Sequence, residues 1–83
     1  MINLPFHSSY IQNSIYEIME PYETKGLDLY PVELEAKIVE ILEAANVEYY
    51  EDVHLWPDCD GGSNFFAWVE EGRLHTVSYD FKY

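Results

Sequence analysis

Apolar positions along the chain keep a helical period up to about residue 45 and an alternating one from residue 47 onward. In SSYIQNSIYEIME, Ile11, Ile15, Ile18 and Met19 recur at i, i+4, i+7 and i+8, and Ser9 with Gln12 matches the ends of a capping box. The spacing predicts a helix over about 10–20, ended by Pro21, which disfavours the helical region for the residue before it. After the connector YETKGLDLY, Pro31 suits a first helical turn, where its missing N–H would have had no partner. Leu34, Ile38, Ile41, Leu42 and Ala45 form the second stripe, with Glu33, Lys37 and Glu40 on another face. This predicts a helix over about 31–45, stopped by Asn46.

From Val47 the segment VEYYEDVHLW alternates, placing Tyr49, Glu51, Val53 and Leu55 on one face and Tyr50, Asp52, His54 and Trp56 on the other. A second strand is expected over 64–70 (NFFAWVE) and a third over about 73–81 (RLHTVSYDF). Between them Glu71-Gly72 supplies a residue able to take positive φ in a short hairpin. The expected fold is α+β: two N-terminal helices packed on a three-stranded antiparallel sheet, ααβββ, in one domain over 1–83.

Charge changes this picture most. Sixteen acidic residues stand against Lys25, Lys37, Arg73 and Lys82, a formal net charge of −12. That charge alone would suit a disordered polymer, but a chain 48% hydrophobic and 17% aromatic has enough apolar surface to fold. A polyanion repels nucleic acid, whose binders use clustered cations, and repels anionic membrane surfaces. Neither direct nucleic-acid binding nor membrane attachment is expected; attraction to a basic protein surface is. One cysteine forms no internal disulfide, no segment approaches the roughly 20 apolar residues of a membrane span, and MINLPFHSSY lacks a basic start before an apolar run. A cytoplasmic location is expected.

Candidate chemistry concentrates in WPDCDGGSNFF, Trp56 to Phe66. Counted from Asp58, a calcium loop would need an oxygen ligand at Gly62, glycine at Ser63 and glutamate at Val69, so three positions fail. Zinc would draw on Cys59, His7, His54 and His75, which form none of the close ligand pairs that structural sites show. Cys59 lies between Asp58 and Asp60, which raise its pKa and make it a poor nucleophile. The glycine pair lacks the spacing and lysine of a phosphate loop. No catalytic residue, metal or cofactor is expected, and the segment reads as a polar connection whose Asp, Gly and Ser residues supply turn conformations.

What remains is acid interleaved with aromatics. Glu48, Glu51, Asp52, Asp58, Asp60, Glu70 and Glu71 lie on the predicted strands or at their ends, among Tyr49, Tyr50, Trp56, Phe66 and Trp68. Aromatics give anchoring area and carboxylates match arginine or lysine of a partner. By regular alternation Tyr50, Trp56, Phe66 and Trp68 have the opposite parity to Val53, Leu55, Phe65 and Val69, so a sheet covered on one side should expose some aromatics. The expected partner-binding residues are Tyr50, Asp52, His54, Trp56, Asp58, Asp60, Glu70 and Glu71.

In size, acidity and lack of a catalytic signature the whole chain resembles two groups of small acidic inhibitors. These are bacterial immunity proteins that neutralise nuclease toxins, and phage-encoded antagonists of host defence, including anti-CRISPR proteins and other DNA mimics. The resemblance implies a non-catalytic protein that occupies the cationic channel or active site of a nucleic-acid-handling target, with a phage antagonist of a CRISPR effector slightly preferred over an immunity protein. Two other classes remain open: a small metal-binding or cysteine enzyme around Asp58–Asn64, and a module that forms homodimers through exposed aromatics.

Overall fold

The computed structural model describes residues 10–26, 29–58 and 60–83. Two helices, α1 (Tyr10–Thr24) and α2 (Leu34–Ala44), cover one face of a sheet built from β1 (Tyr30–Pro31), β2 (Tyr49–Leu55), β3 (Gly61–Glu70) and β4 (Arg73–Lys82). The helical stripes do what their spacing requires: Ile11, Ile15 and Met19 of α1 and Leu34, Ile38 and Leu42 of α2 are buried. They meet Phe66 and Trp68 of β3 and Val77, Tyr79 and Phe81 of β4 in a single core.

The sheet is four-stranded and mixed, in the order β1-β4-β3-β2, where three antiparallel strands were expected. β1 runs parallel to β4, with Tyr30 opposite Phe81 and Pro31 opposite Lys82. Pro31 therefore sits on an edge strand, where a missing N–H costs no ladder bond, and not in the first turn of a helix. Side-chain packing explains the change. The Tyr30 ring meets Tyr22 and Tyr79 edge to face at 5.8 and 5.4 Å, and its hydroxyl donates to Glu23 Oε2 at 2.9 Å. Burial, then the bond to Glu23 and its charge, pushes the Tyr30 hydroxyl up to about 12.

Pro21 does not end α1, which continues to Thr24. Only the Glu17 carbonyl loses its helical donor there, and both residues are exposed, so water can replace it. The stop comes at Gly26, whose φ of 75° only a residue without Cβ takes freely and whose N–H bonds Glu23 O at 3.0 Å. Asn46, at φ 59°, ends α2 in the same left-handed conformation. Ser9 of the proposed capping box lies outside the described residues.

The Asp58–Asn64 loop is also shorter than expected, because β3 begins at Gly61 and not at Asn64. Both glycines are buried between neighbouring strands: a Cβ on Gly61 would lie 2.1 Å from Phe81 O, and one on Gly62 would lie 2.2 Å from His54 O. They are glycines because backbones approach them closely, not because a flexible loop needs them. At the other end of the hairpin both Glu71 and Gly72 have positive φ, 54° and 76°, the geometry of a two-residue type I′ turn.

Candidate functional site

The face of the sheet away from the helices is uncovered by any described element. On β2 it carries Tyr50, Asp52 and His54, the alternate positions that the sequence pattern groups together. Across the pairing it continues through Ser63, Phe65, Ala67 and Val69 of β3 to Leu74, Thr76, Ser78 and Asp80 of β4. Odd-numbered residues of β2 pair with even-numbered residues of β3, as in Glu51 with Phe66, and even with odd, as in Asp52 with Phe65, so numerical parity changes sides from strand to strand. This corrects the parity expectation. Phe66 and Trp68 belong to the covered face with Val53 and Leu55, while Phe65 and Val69 join Tyr50 on the open one.

The open face is graded. Near the Glu71-Gly72 turn it is apolar: Val69 and Leu74 are paired and are 57% and 70% exposed. Tyr50 and Phe65 meet edge to face at 6.3 Å in the middle. Toward the other end it becomes a shallow trough of about 460 Å³, lined by Asp52, His54, Ser63, Phe65, Ser78 and Asp80. A chain with an acidic trough running into an apolar strip can receive a cationic and aromatic or aliphatic surface together, with the charges setting orientation and the apolar strip supplying area.

The eight partner-binding residues expected from sequence do not form one patch. Tyr50, Asp52 and His54 lie side by side on the open face. Trp56 is half-buried just beyond β2, where its backbone N–H bonds Gly61 O at 3.0 Å. Asp58 and Asp60 are exposed in the connection, and the Asp60 N–H donates to Asp58 Oδ1 at 3.2 Å. Glu70 points to the helix side, where it accepts the Trp68 indole N–H at 3.3 Å. Glu71 is exposed in the turn, about 30 Å from Asp60 along a ten-residue strand. Phe65, Val69, Leu74, Ser63, Ser78 and Asp80 belong to the open face but lacked a signal, because only the strand register assigns them to it.

A second polar group lies on the helix side, under α2. The Glu51 carboxyl is hydrogen-bonded to Glu35 of α2; burial first, then that bond and the Glu35 charge, pushes it up to about 7. Its neighbour Tyr49 is raised as well, by burial and by the charges of Glu43, Glu51 and Glu35. The Tyr79 hydroxyl accepts a bond from Asn64 Nδ2 at 2.9 Å, which lowers its pKa, yet burial outweighs this and holds it at about 12.

His54 and His75 stand on opposite faces of the sheet with β3 between their strands. His75 is stacked on Trp68 at 5.8 Å and lies 3.2 Å from Gln12 Oε1. Because Gln12 Nε2 donates to Thr76 O, its oxygen is left to accept, which makes His75 Nδ1 the donor. Among the described residues no three His, Cys, Asp or Glu side chains are grouped to hold a metal ion. Cys59 and His7 lie outside those residues. No described helix is long and apolar enough to cross a membrane. No known protein family, curated protein or solved structure matches this chain.

Proposed function

We propose that the protein is a non-catalytic inhibitor that docks its open sheet face on a basic site of a nucleic-acid-handling enzyme or complex and occludes it. The observation that supports this is the open face itself: exposed Tyr50 and Phe65 in contact, flanked by Asp52 and Asp80, on a chain of net charge −12. A CRISPR effector channel is the preferred target, and the active site of a nuclease toxin is the alternative. Both present cationic surface shaped for phosphates, which carboxylates can replace.

The test is binding to purified members of both target classes, with nucleic acid as competitor, at about 50 and 500 mM salt. Exposed charges are screened within a few ångströms at the higher value, so affinity should fall at least tenfold. Replacing Asp52 and Asp80 together by asparagine should weaken binding by a similar factor and slow association. Binding that ignores salt and leaves nucleic acid bound removes the reading.

One observation favours a second reading. β2 is an edge strand, and the apolar strip of Tyr50, Phe65, Val69 and Leu74 adjoins it, an arrangement suited to pairing with a second copy. Sedimentation at two concentrations separates the two readings, since a homodimer hides this face before any target arrives.

A further inference from the structure

The helices do not cover the whole inner face of the sheet. Where β2 runs out beyond α2, Val53 and Leu55 point to the helix side yet remain 48% and 53% exposed. With Val32, Phe81 and Tyr83 they wall a cleft of about 180 Å³. Two polar side chains also line it: Glu35 from the first turn of α2 and Asn64 from β3.

Asn64 is unusual in this position. It is 3% exposed, it stands in the row of Val53 and Tyr79 where an aliphatic residue would pack, and its Oδ1 is buried without any hydrogen-bond donor. Its Nδ2 donates to Tyr79 OH on β4, which leaves Oδ1 as the amide atom without a donor, on a residue that lines the cleft. A buried acceptor left unpaired is costly, and such a group in a native fold asks for a donor. Beside it Glu35 supplies negative charge, and no cation lines the cleft.

We propose that this cleft seats one arginine side chain supplied by a partner protein, its stem lying on Val53, Leu55 and Tyr83 and its guanidinium shared between the Glu35 carboxylate and Asn64 Oδ1. Arginine fits better than lysine because two acceptors on different elements need a fork of N–H donors, and because guanidinium is the less strongly hydrated cation to place beside apolar walls. The site is on the helix side, apart from the open sheet face. It rests on the reading that the partner is basic, but its test does not require that partner.

The groups facing Glu35 give binding a direction with pH. Glu51 from β2 is bonded to it, and the Glu35 and Glu51 charges both reach Tyr79 of β4; at Tyr49 the Glu43 charge joins them. Without a cation Glu51 keeps its proton up to about 7. A guanidinium on Glu35 favours the ionised pair, so binding should release a proton and strengthen from pH 5.5 to 8.

The test is an NMR titration of the whole chain with N-acetyl-arginine N-methylamide at low salt. Lysine and norleucine analogues serve as controls. Saturable shifts are expected at the Asn64 side-chain amide and at the Val53 and Leu55 methyls, with a Kd of about 1–10 mM, as suits one side chain. The lysine and norleucine analogues should bind at least about fivefold more weakly, and Glu35→Gln and Asn64→Leu should each weaken the arginine probe at least about tenfold. Shifts confined to Tyr50 and Phe65, equal binding of norleucine, or undiminished binding by Glu35→Gln overturns the proposal, the last holding even where Asn64→Leu does not fold. Saturable probe binding without any basic target in the salt test keeps the cleft and removes the inhibitor reading; the opposite pair of results removes only the cleft.

Discussion

The two faces of β3 carry similar side chains and live in different solvents. Phe66 and Trp68 on one face are 0% and 2% exposed under the helices, while Phe65 and Val69 on the other are 37% and 57% exposed. Hydrophobicity does not separate these pairs. What separates them is a register that turns even-numbered β3 residues toward the helices, whose own stripes match that side. The covered face is therefore a stability element. The open face is surface that folding does not require, and exposed aromatic area of that kind is where a partner or second copy gains most.

Truncating one residue on each face should give the largest contrast. Phe66→Ala removes a fully buried ring and should cost about 3–5 kcal/mol, enough to unfold much of so small a domain. Phe65→Ala should change stability by less than about 1 kcal/mol, since it gives up mainly its contact with Tyr50. Urea denaturation of the two variants checks this. Equal losses would mean that the open face is covered in solution, as a dimer would cover it.

The contrast between faces breaks down where β3 begins. Gly61 and Gly62 point to opposite sides yet are both buried, because the backbones of β4 and β2 close on them. Gly62→Ala brings a methyl against His54 O, which is backbone and cannot swing away, so β2 must separate from β3 there. A loss of about 2–3 kcal/mol is expected, in the range of other strained backbone positions. Early hydrogen exchange of the amides in residues 53–56 would locate the damage. A neutral Gly62→Ala would show that the strand ends are looser than the core.

How far the sequence reveals this arrangement depends on whether the signal is local. Both helical stripes, the Glu71-Gly72 turn, the stop at Asn46 and the alternation of β2 rest on neighbouring residues, and each is present as its spacing implies. β1 spans two residues, too few for any period, and exists because Tyr30 packs on Tyr79, more than forty positions away. Pro21 misleads because a helix supported by its buried stripe tolerates the loss of one exposed bond. On the candidate site, Tyr50, Asp52 and His54 share a strand and could be grouped by alternation alone. Asp80 and Leu74 join them only through a register whose odd pairing sum reverses parity at every strand. Asn64 and the Glu35–Glu51 contact are less legible still, since each requires side chains from separate elements to meet.

Glu51 makes the smallest test and the sharpest one of what covering a face means, because it lies on the covered side at the uncovered edge of the sheet. Its folded pKa is raised from 4.5 to about 7, so between those values the folded chain holds a proton that the unfolded chain has released. Stability from this group is therefore highest below about pH 4.5, falls as pH rises to about 7, and stays reduced above it. Glu51→Gln should leave stability unchanged at pH 4, where both states are protonated. It should raise stability at pH 8 by roughly 1 kcal/mol, a modest value because the pair is only half-buried and water screens it. Thermal melts at both pH values check the sign. An equal effect at pH 4 and 8 would mean that Glu51 packs against α2 without its charge mattering, and that solvent reaches the covered face of β2 as freely as the open one.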